Sequence, residues 1–428
     1  MLLDRLKSLQ KNIRVAIIGS GSMGKGLFYQ CYITPGIECV AIADIRIERA
    51  IACAKWLKRE YRVAHNLAEM HDAIQRGLVA VCEDGNLPAQ CEMADVLIES
   101  SNAIAAAGQF AVTALEHRKH LVMVNAEADL IFGPYLLHLA RANGVVYTSC
   151  DGDQPAVVKR LIDDLQLWGF DLVMAGNIKG FLDRDANPTT IIPEADKRML
   201  DYRMCASYTD GTKLNIEMAL VANALGLSTV IPGMSGHRAN HVCEVFHLFD
   251  LPTLWQDRRP VVDYILGAEP RGGVFAIGYC ENVYQQSMLA TFPSQTSAGP
   301  FSVFYRPYHL CHVEAMATVA MAFLDGPALL QPSFGFQTNV YAYAKRNLQR
   351  GEKLDGIGGY ACYGLIENCV SNENARGLPI CLAEDVELKR DIAKNEKILL
   401  SDVAYDPARF DFQLFRKAIE QSRHRMTE

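Results

Sequence analysis

The chain has 428 residues, long enough for two or three domains, and its balance of 50% hydrophobic and 21% charged residues is that of a globular enzyme. A net charge of -7 and a pI near 5.9 argue against nucleic acid or an anionic membrane as main partner, without preventing a locally basic pocket. No apolar run approaches transmembrane length, residues 1–12 (MLLDRLKSLQKN) have the pattern of a short amphipathic helix rather than a signal peptide, and the 13 cysteines include no C-x-x-C pair, so a reducing, cytoplasmic location is expected.

Residues 15–18 read as a buried strand that stops at Gly19, Gly21 and Gly24, in G-x-G-x-x-G spacing with Ser22 and Met23 inside the loop. Gly19 permits a tight turn, Gly21 leaves room for a pyrophosphate, and Gly24 allows close helix packing, while the helix amides face the phosphates. A second strand at 39–43 ends in Asp44, placed to accept hydrogen bonds from an adenosine ribose, and Arg46 could pair with a 2′-phosphate. Strand, glycines, helix, strand and acid thus agree on a nicotinamide dinucleotide site; the alternative is a structural glycine turn.

A helix is expected at 48–61 and a strand at 94–99, which ends in Glu99-Ser100-Ser101-Asn102 where doubly wound sheets bind ligands. An ordinary helix cap by Ser or Asn reads equally well there. A helix at 103–117, a strand at 120–124 ending at Asn125-Ala126-Glu127, and a strand at 144–148 continue the alternation of a parallel sheet. Pro155 then opens a helix to about 168, and a strand at 171–175 precedes Gly176-Asn177-Ile178-Lys179-Gly180, Asp183-Arg184 and Asn187-Pro188. In SYTDGTKLNIE, a helix beginning near Thr209 would set Asp210, Lys213 and Glu217 on one face.

A dehydrogenase needs a group that handles a hydroxyl proton while hydride moves, and a lysine with a lowered pKa can be that group. Lys179 and Lys213 are the candidates. Arg184 is the candidate clamp for a small anionic substrate, Asp183 adjoins it, and Asp210 and Glu217 could orient the amines or hold a divalent metal. A solvated helix face with i,i+3 and i,i+4 ion pairs is the bland alternative. Residues 231–238 (IPGMSGHR) either close over substrate, with His237 and Arg238 as anion contacts, or form a surface turn. In FYRPYHLCHVE, His309, His312 and Glu314 lack the remaining metal ligands at clear spacing, so the histidines are expected in a core or lining the substrate cavity.

The stretches VAIIGSGSMG, DVLIESSNA, HLVMVNAEAD, DGDQPAVVKRL, AGNIKGFLDRDANPTT, SYTDGTKLNIEMALVANALGL and LDGIGGYACYGLIEN span most of the chain. Together they resemble the homoserine dehydrogenase-like oxidoreductases, and within them the branch that carries a C-terminal SAF-type segment and includes the second type of 1-deoxy-D-xylulose 5-phosphate reductoisomerase. The resemblance implies a Rossmann doubly wound domain at 1–152, an α+β catalytic and dimerisation domain at 153–345, and a small β-rich SAF-like region at 346–428, in which Ile392, Ile398, Leu399 and Val403 supply apolar positions. It implies NADP(H) or NAD(H) bound by Gly19, Gly21, Ser22, Met23, Gly24, Asp44, Arg46, Ser100, Ser101, Asn102 and Asn125 at the junction of two domains, acid/base work at Lys213 beside Asp210, and a homodimer or higher homo-oligomer. Asn125-Ala126-Glu127 replaces the Asn-Lys usual in homoserine dehydrogenases, which argues against homoserine as substrate. Three functions stay open: an isomerising reductoisomerase of isoprenoid precursor synthesis, a dehydrogenase or oxidoisomerase of a sugar acid or hydroxy acid, and a non-catalytic nicotinamide sensor, against which the two lysines with acidic neighbours weigh.

Overall fold

The computed structural model of the chain describes residues 1–198, 200–291, 297–370 and 376–425. Seven runs along the first 150 residues form strands: β1 (Ile13–Ile18), β2 (Ile37–Ala43), β3 (Tyr61–Val63), β4 (Val79–Cys82), β5 (Val96–Glu99), β6 (His120–Met123) and β7 (Tyr147–Ser149). Most are continuously buried rather than alternating, as strands covered on both faces must be. They pair in parallel in the order β3-β4-β2-β1-β5-β6-β7, the doubly wound Rossmann arrangement. The order reverses between β1 and β5, so the carboxyl ends of these two strands flank the crevice where such sheets take ligands.

This sheet belongs to a compact unit made of Met1–Ala156, Leu310–Gln331 and the chain from Gln413. Its core joins Ile13, Val15, Leu27, Ile42 and Ile98 to Met316 and Val319 of the helix Cys311–Leu324. His312 in that helix lies against Gly26, where a Cβ would stand 2.4 Å from the ring, and burial lowers its pKa. It is half-buried and packs against Gly26.

Three boundaries differ from the sequence reading. The helix expected at 48–61 is Ile47–Trp56, because Lys58 turns left-handed at φ 51° and the Arg59 amide closes on the Ala54 carbonyl at 2.9 Å. Gly144 opens no strand; at φ 68° it caps the helix Ala126–Asn143, and β7 begins at Tyr147. The strand expected at 171–175 runs on to Lys179.

The second unit comprises Val157–His309 and Pro332–Phe412. Its main sheet contains β8 (Asp171–Lys179), β9 (His237–Arg238), β10 (Val261–Leu266), β11 (Val274–Tyr279), β12 (Ser297–Ala298) and β13 (Phe301–Arg306), in the order β12-β13-β11-β8-β10-β9. β8, β10 and β9 are parallel, β11 runs against β8, and β13 runs against β11 and so in the direction of β8. Met174, Ile178, Val261, Ile265, Phe275 and Ile277 build one core face together with Val242, Val245 and Phe249. The buried helix Thr212–Leu225 packs against β8 and β10, and against the antiparallel hairpin β14 (Thr338–Ala344) and β15 (Cys362–Asn368). Residues 346–412 lie within this second unit; there the short antiparallel pair β16 (Glu387–Leu388) and β17 (Val403–Ala404) accompanies buried Ile392 and Ile398.

Candidate active site

In the first unit the glycine loop turns tightly between strand and helix. Gly19 adopts φ +88°, and a Cβ there would stand 2.7 Å from the Ser100 carbonyl carbon. A Cβ on Gly24 would lie 1.7 Å from the Gly19 carbonyl oxygen, so helix and loop close only with glycine at both places. A Cβ on Gly21, by contrast, would meet nothing within 4 Å. Its open side lies at the start of the helix Ser22–Ile33, where unpaired amides suit an anion. Ser22 is exposed and Met23 half-buried.

Asp44 braces this loop. Its Oδ2 accepts from the Ser20 amide and hydroxyl, both at 2.8 Å, and its Oδ1 accepts from the Arg46 amide at 2.9 Å, which leaves capacity on Oδ1 for a ribose hydroxyl. The Arg46 side chain is exposed. On the other side of the crevice, Ser100 Oγ donates to the Ile18 and Gly19 carbonyls, both at 2.9 Å. Asn125 donates through Nδ2 to the Ser101 carbonyl at 2.9 Å and caps Ala126–Asn143 by accepting from the Ala128 amide at 3.0 Å. Ser100 and Asn125 therefore shape the crevice wall, while Asn102 is exposed at its lip.

In the second unit, Lys179 is the last residue of β8 and lies in register with Leu266 of β10, which in turn is in register with Arg238 of β9. Alternation along the strands sets Lys179, Arg238 and Tyr264 on one face. The Tyr264 hydroxyl lies beside Arg184 and in the field of Arg238; burial raises its pKa while both cations oppose the shift. Arg184 also lies over the Tyr363 ring, 5.6 Å from its centroid. Among the described residues neither Arg184 nor Arg238 has a carboxylate partner. Two guanidinium groups and a phenol thus converge with their positive charge uncompensated. Asp183 is exposed and accepts from the Asp185 amide at 3.0 Å, a local turn that holds the adjacent Arg184.

The loop at 231–238 is fixed rather than a free surface turn. Asp263 on β10 accepts the Ser235 amide at 3.0 Å and the Gly236 amide at 3.0 Å, and the Tyr264 hydroxyl would lie 2.2 Å from a Cβ on Gly236.

Lys213 and Glu217 are buried one turn apart on Thr212–Leu225. Thr212, Asn215 and Asn223 on the same helix accept from the backbone of residues 364, 366 and 338, all at 2.9 Å, and so define the face turned to the hairpin. Glu217 stands about 140° around the helix from Thr212, on the side turned away from that hairpin.

Asp210 corrects the sequence reading. It is not on the Lys213 helix but ends the preceding one, Tyr202–Thr209, because Gly211 at φ 89° breaks the two apart. Its buried carboxylate pairs with Lys345 at 2.8 Å and accepts from the Thr212 amide at 2.8 Å. Lys345 also donates to the Ala186 and Gly359 carbonyls, at 2.6 and 2.9 Å. Asp210 is therefore committed to a structural ion pair. Lys345, Asp263, Tyr264 and Tyr363 escaped the sequence reading; the only local signal was an acid and a phenol inside the apolar run VVDYIL.

Residues 152–315 match the family model described as oxidoreductase DRL, catalytic domain. The match encloses Lys179, Arg184, Lys213, Glu217, Arg238 and Tyr264. A comparison with curated proteins finds no significant match. Among solved structures, the chain is similar to myo-inositol dehydrogenase from Lactobacillus casei in complex with NAD(H) and myo-inositol, at 20% identity over 44% of this chain and 53% of that one, with a TM-score of 0.30. It is also similar to a myo-inositol dehydrogenase from Corynebacterium glutamicum (10% identity, 74% and 89% of the two chains, TM-score 0.39) and to DOX-P reductoisomerase in complex with magnesium (14%, 73% and 79%, TM-score 0.37). The chain spans about half the length of the Lactobacillus casei inositol dehydrogenases it matches. None of these activities carries over by such likeness alone.

Proposed function

We propose that this Rossmann-type oxidoreductase uses NADP(H) to reduce and isomerise a small phosphorylated ketose of the 1-deoxy-D-xylulose 5-phosphate kind. The observation that carries the substrate class is the pair of arginines, 184 and 238, uncompensated by carboxylates and sharing a sheet end with Lys179. Such a seat suits an oxygen-rich anion next to an amine that can polarise its carbonyl.

The glycine loop fits a dinucleotide, with Gly21 open to the pyrophosphate, Asp44 Oδ1 able to receive a ribose hydroxyl, and exposed Arg46 available for a 2′-phosphate. When bound, the nicotinamide supplies or takes the hydride. Arg184 and Arg238 hold the anionic group, Tyr264 donates a hydrogen bond to it, and Lys213 or Lys179 delivers a proton to the oxygen that gains it. Glu217, buried one turn beyond Lys213 on the same helix, is the carboxylate that sets the charge of this amine in the proposal, since Asp210 pairs with Lys345. A homodimer built on the second unit, checked by sedimentation at micromolar concentration, completes the proposal.

The decisive assay supplies NADPH and 1-deoxy-D-xylulose 5-phosphate, follows absorbance, and identifies the product by mass spectrometry. Formation of the methylerythritol phosphate supports the reading; no NADPH consumption removes it. A second reading, oxidation or oxidoisomerisation of a sugar acid, draws on the same arginines, because a guanidinium fork matches a carboxylate in a bidentate pair. It predicts NAD(P)+ reduction with sugar acids instead.

A further inference from the structure

Glu99 ends β5 opposite Ile18, the last residue of β1 before the glycine loop. Its side chain is fully buried; its Oε1 accepts the Ser101 amide at 3.1 Å, the Ser101 and Asn125 side chains also bear on the carboxyl, and its Oε2 has no hydrogen-bond partner. Its strand neighbours, Ile18 on β1 and Met123 on β6, are apolar. The charged group that acts on it is Glu127, in the first turn of Ala126–Asn143, while Ser101 and Asn125 are neutral and Asp44 is spent on Ser20. A carboxylate there would have neutral donors from Ser101 and Asn125 alone, one oxygen without a partner, and a like charge nearby. Burial outweighs the hydrogen bonds and pushes the carboxyl up to about 8.

We infer that Glu99 is a neutral carboxylic acid that positions the turn at 100–102 against the glycine loop, and that its ionisation loosens this turn and weakens dinucleotide binding. The coupling follows from the chain itself. The residue after Glu99 bonds the Ile18 and Gly19 carbonyls, and the next is held by Asn125, so a charge forced toward water at Glu99 moves the wall that Gly19 touches. Glu99 is a positioning residue, and the inference about binding rests on the reading that a dinucleotide occupies this crevice.

The test compares the full chain with E99Q, a neutral isostere, from pH 5 to 9.5, by thermal unfolding without cofactor and by fluorescence titration with NADPH. The folded state holds a proton that the unfolded carboxyl releases, so the wild type loses stability relative to E99Q as pH rises from the ordinary carboxylate range to about 8, with no further change above. NADPH affinity should be similar for both at pH 6.5, then fall for the wild type alone, by up to tenfold per pH unit above 8. A melting difference independent of pH overturns the neutral acid. A constant affinity ratio across the range overturns the coupling. If E99Q does not fold, Glu99→Met, also neutral and of similar volume, replaces it in both measurements. Failure of the wild type to bind NADPH at pH 6.5 would overturn the cofactor assignment and the coupling with it, while the melting curves still decide whether the acid is neutral.

Discussion

Replacing Lys345 by methionine tests the ion pair that organises the second unit. Lys345 is 4% exposed and the Asp210 side chain 0%, and the ammonium spends its donors on the Asp210 carboxylate and on the Ala186 and Gly359 carbonyls. The variant fills the volume but leaves Asp210 with the neutral donors of Thr212, its amide and its side chain, and takes the lysine away from two carbonyls. Removing one partner of a buried pair costs about 3–5 kcal/mol, because the remaining charge is uncompensated. For a unit of this size that corresponds to a fall in Tm of about 10 °C.

The sign of the pH dependence sharpens the test. Burial already raises the Asp210 pKa, and Lys345 is the chief influence lowering it. Without the lysine the carboxyl rises further and takes up a proton as pH falls, so the cost should be largest near neutral pH and shrink toward pH 5. Adding Asp210→Asn to Lys345→Met should recover part of the loss, since a neutral amide no longer needs a counter-charge. Thermal unfolding by circular dichroism at pH 5 and 7.5 decides the matter. A loss below about 1 kcal/mol at pH 7.5, or one that does not depend on pH, refutes a buried charged pair.

Three further outcomes are expected. Gly21→Val should fold normally and lose NADPH affinity, because its side chain enters only the open phosphate space, whereas Gly24→Ala should also lower the Tm, since its Cβ meets the Gly19 carbonyl at 1.7 Å; equal melting of the two would count against this distinction. Lys213→Ala should lower kcat by roughly a hundredfold or more with little change in cofactor affinity, and near-normal turnover in both Lys213→Ala and Lys179→Ala would remove the lysines from the chemistry. Arg184→Gln and Arg238→Gln should each raise KM for the anionic substrate by about tenfold or more, the loss of one charge-assisted hydrogen bond, and leave NADPH affinity unchanged; an unaltered KM in both would dissolve the clamp.

Much of the first unit was legible because its information is local. Strand-length apolar runs, the glycine spacing and an acid after the second strand are features of neighbouring residues, and they led to β1, β2, β5 and β6 with boundaries displaced by a residue or two. Helix ends were less legible: Lys58 stops a helix through a left-handed turn that glycine more often makes, and Gly144 caps a helix where a strand had been expected. The candidate site divides in the same way. Arg184 and Lys179 stand out as charges among turn residues, while Tyr264 and Asp263 sit inside an apolar strand, and Lys345 follows one, where nothing local distinguishes function from burial.

By itself the sequence determined the doubly wound sheet, the position of the glycine loop and the segment that carries the charged candidates, since each is encoded by periodicity and spacing along the chain. Only the tertiary structure decided which charges meet. Asp210 lies three residues from Lys213 in sequence, yet a left-handed glycine turns it into the preceding helix end and gives it to Lys345, 135 residues on. Arg184 and Arg238 acquire a common partner in Tyr264 through strand register and loop anchoring. Electrostatic pairing depends on distance in space and on burial, and for side chains brought together by long-range packing neither quantity is written in the order of the residues.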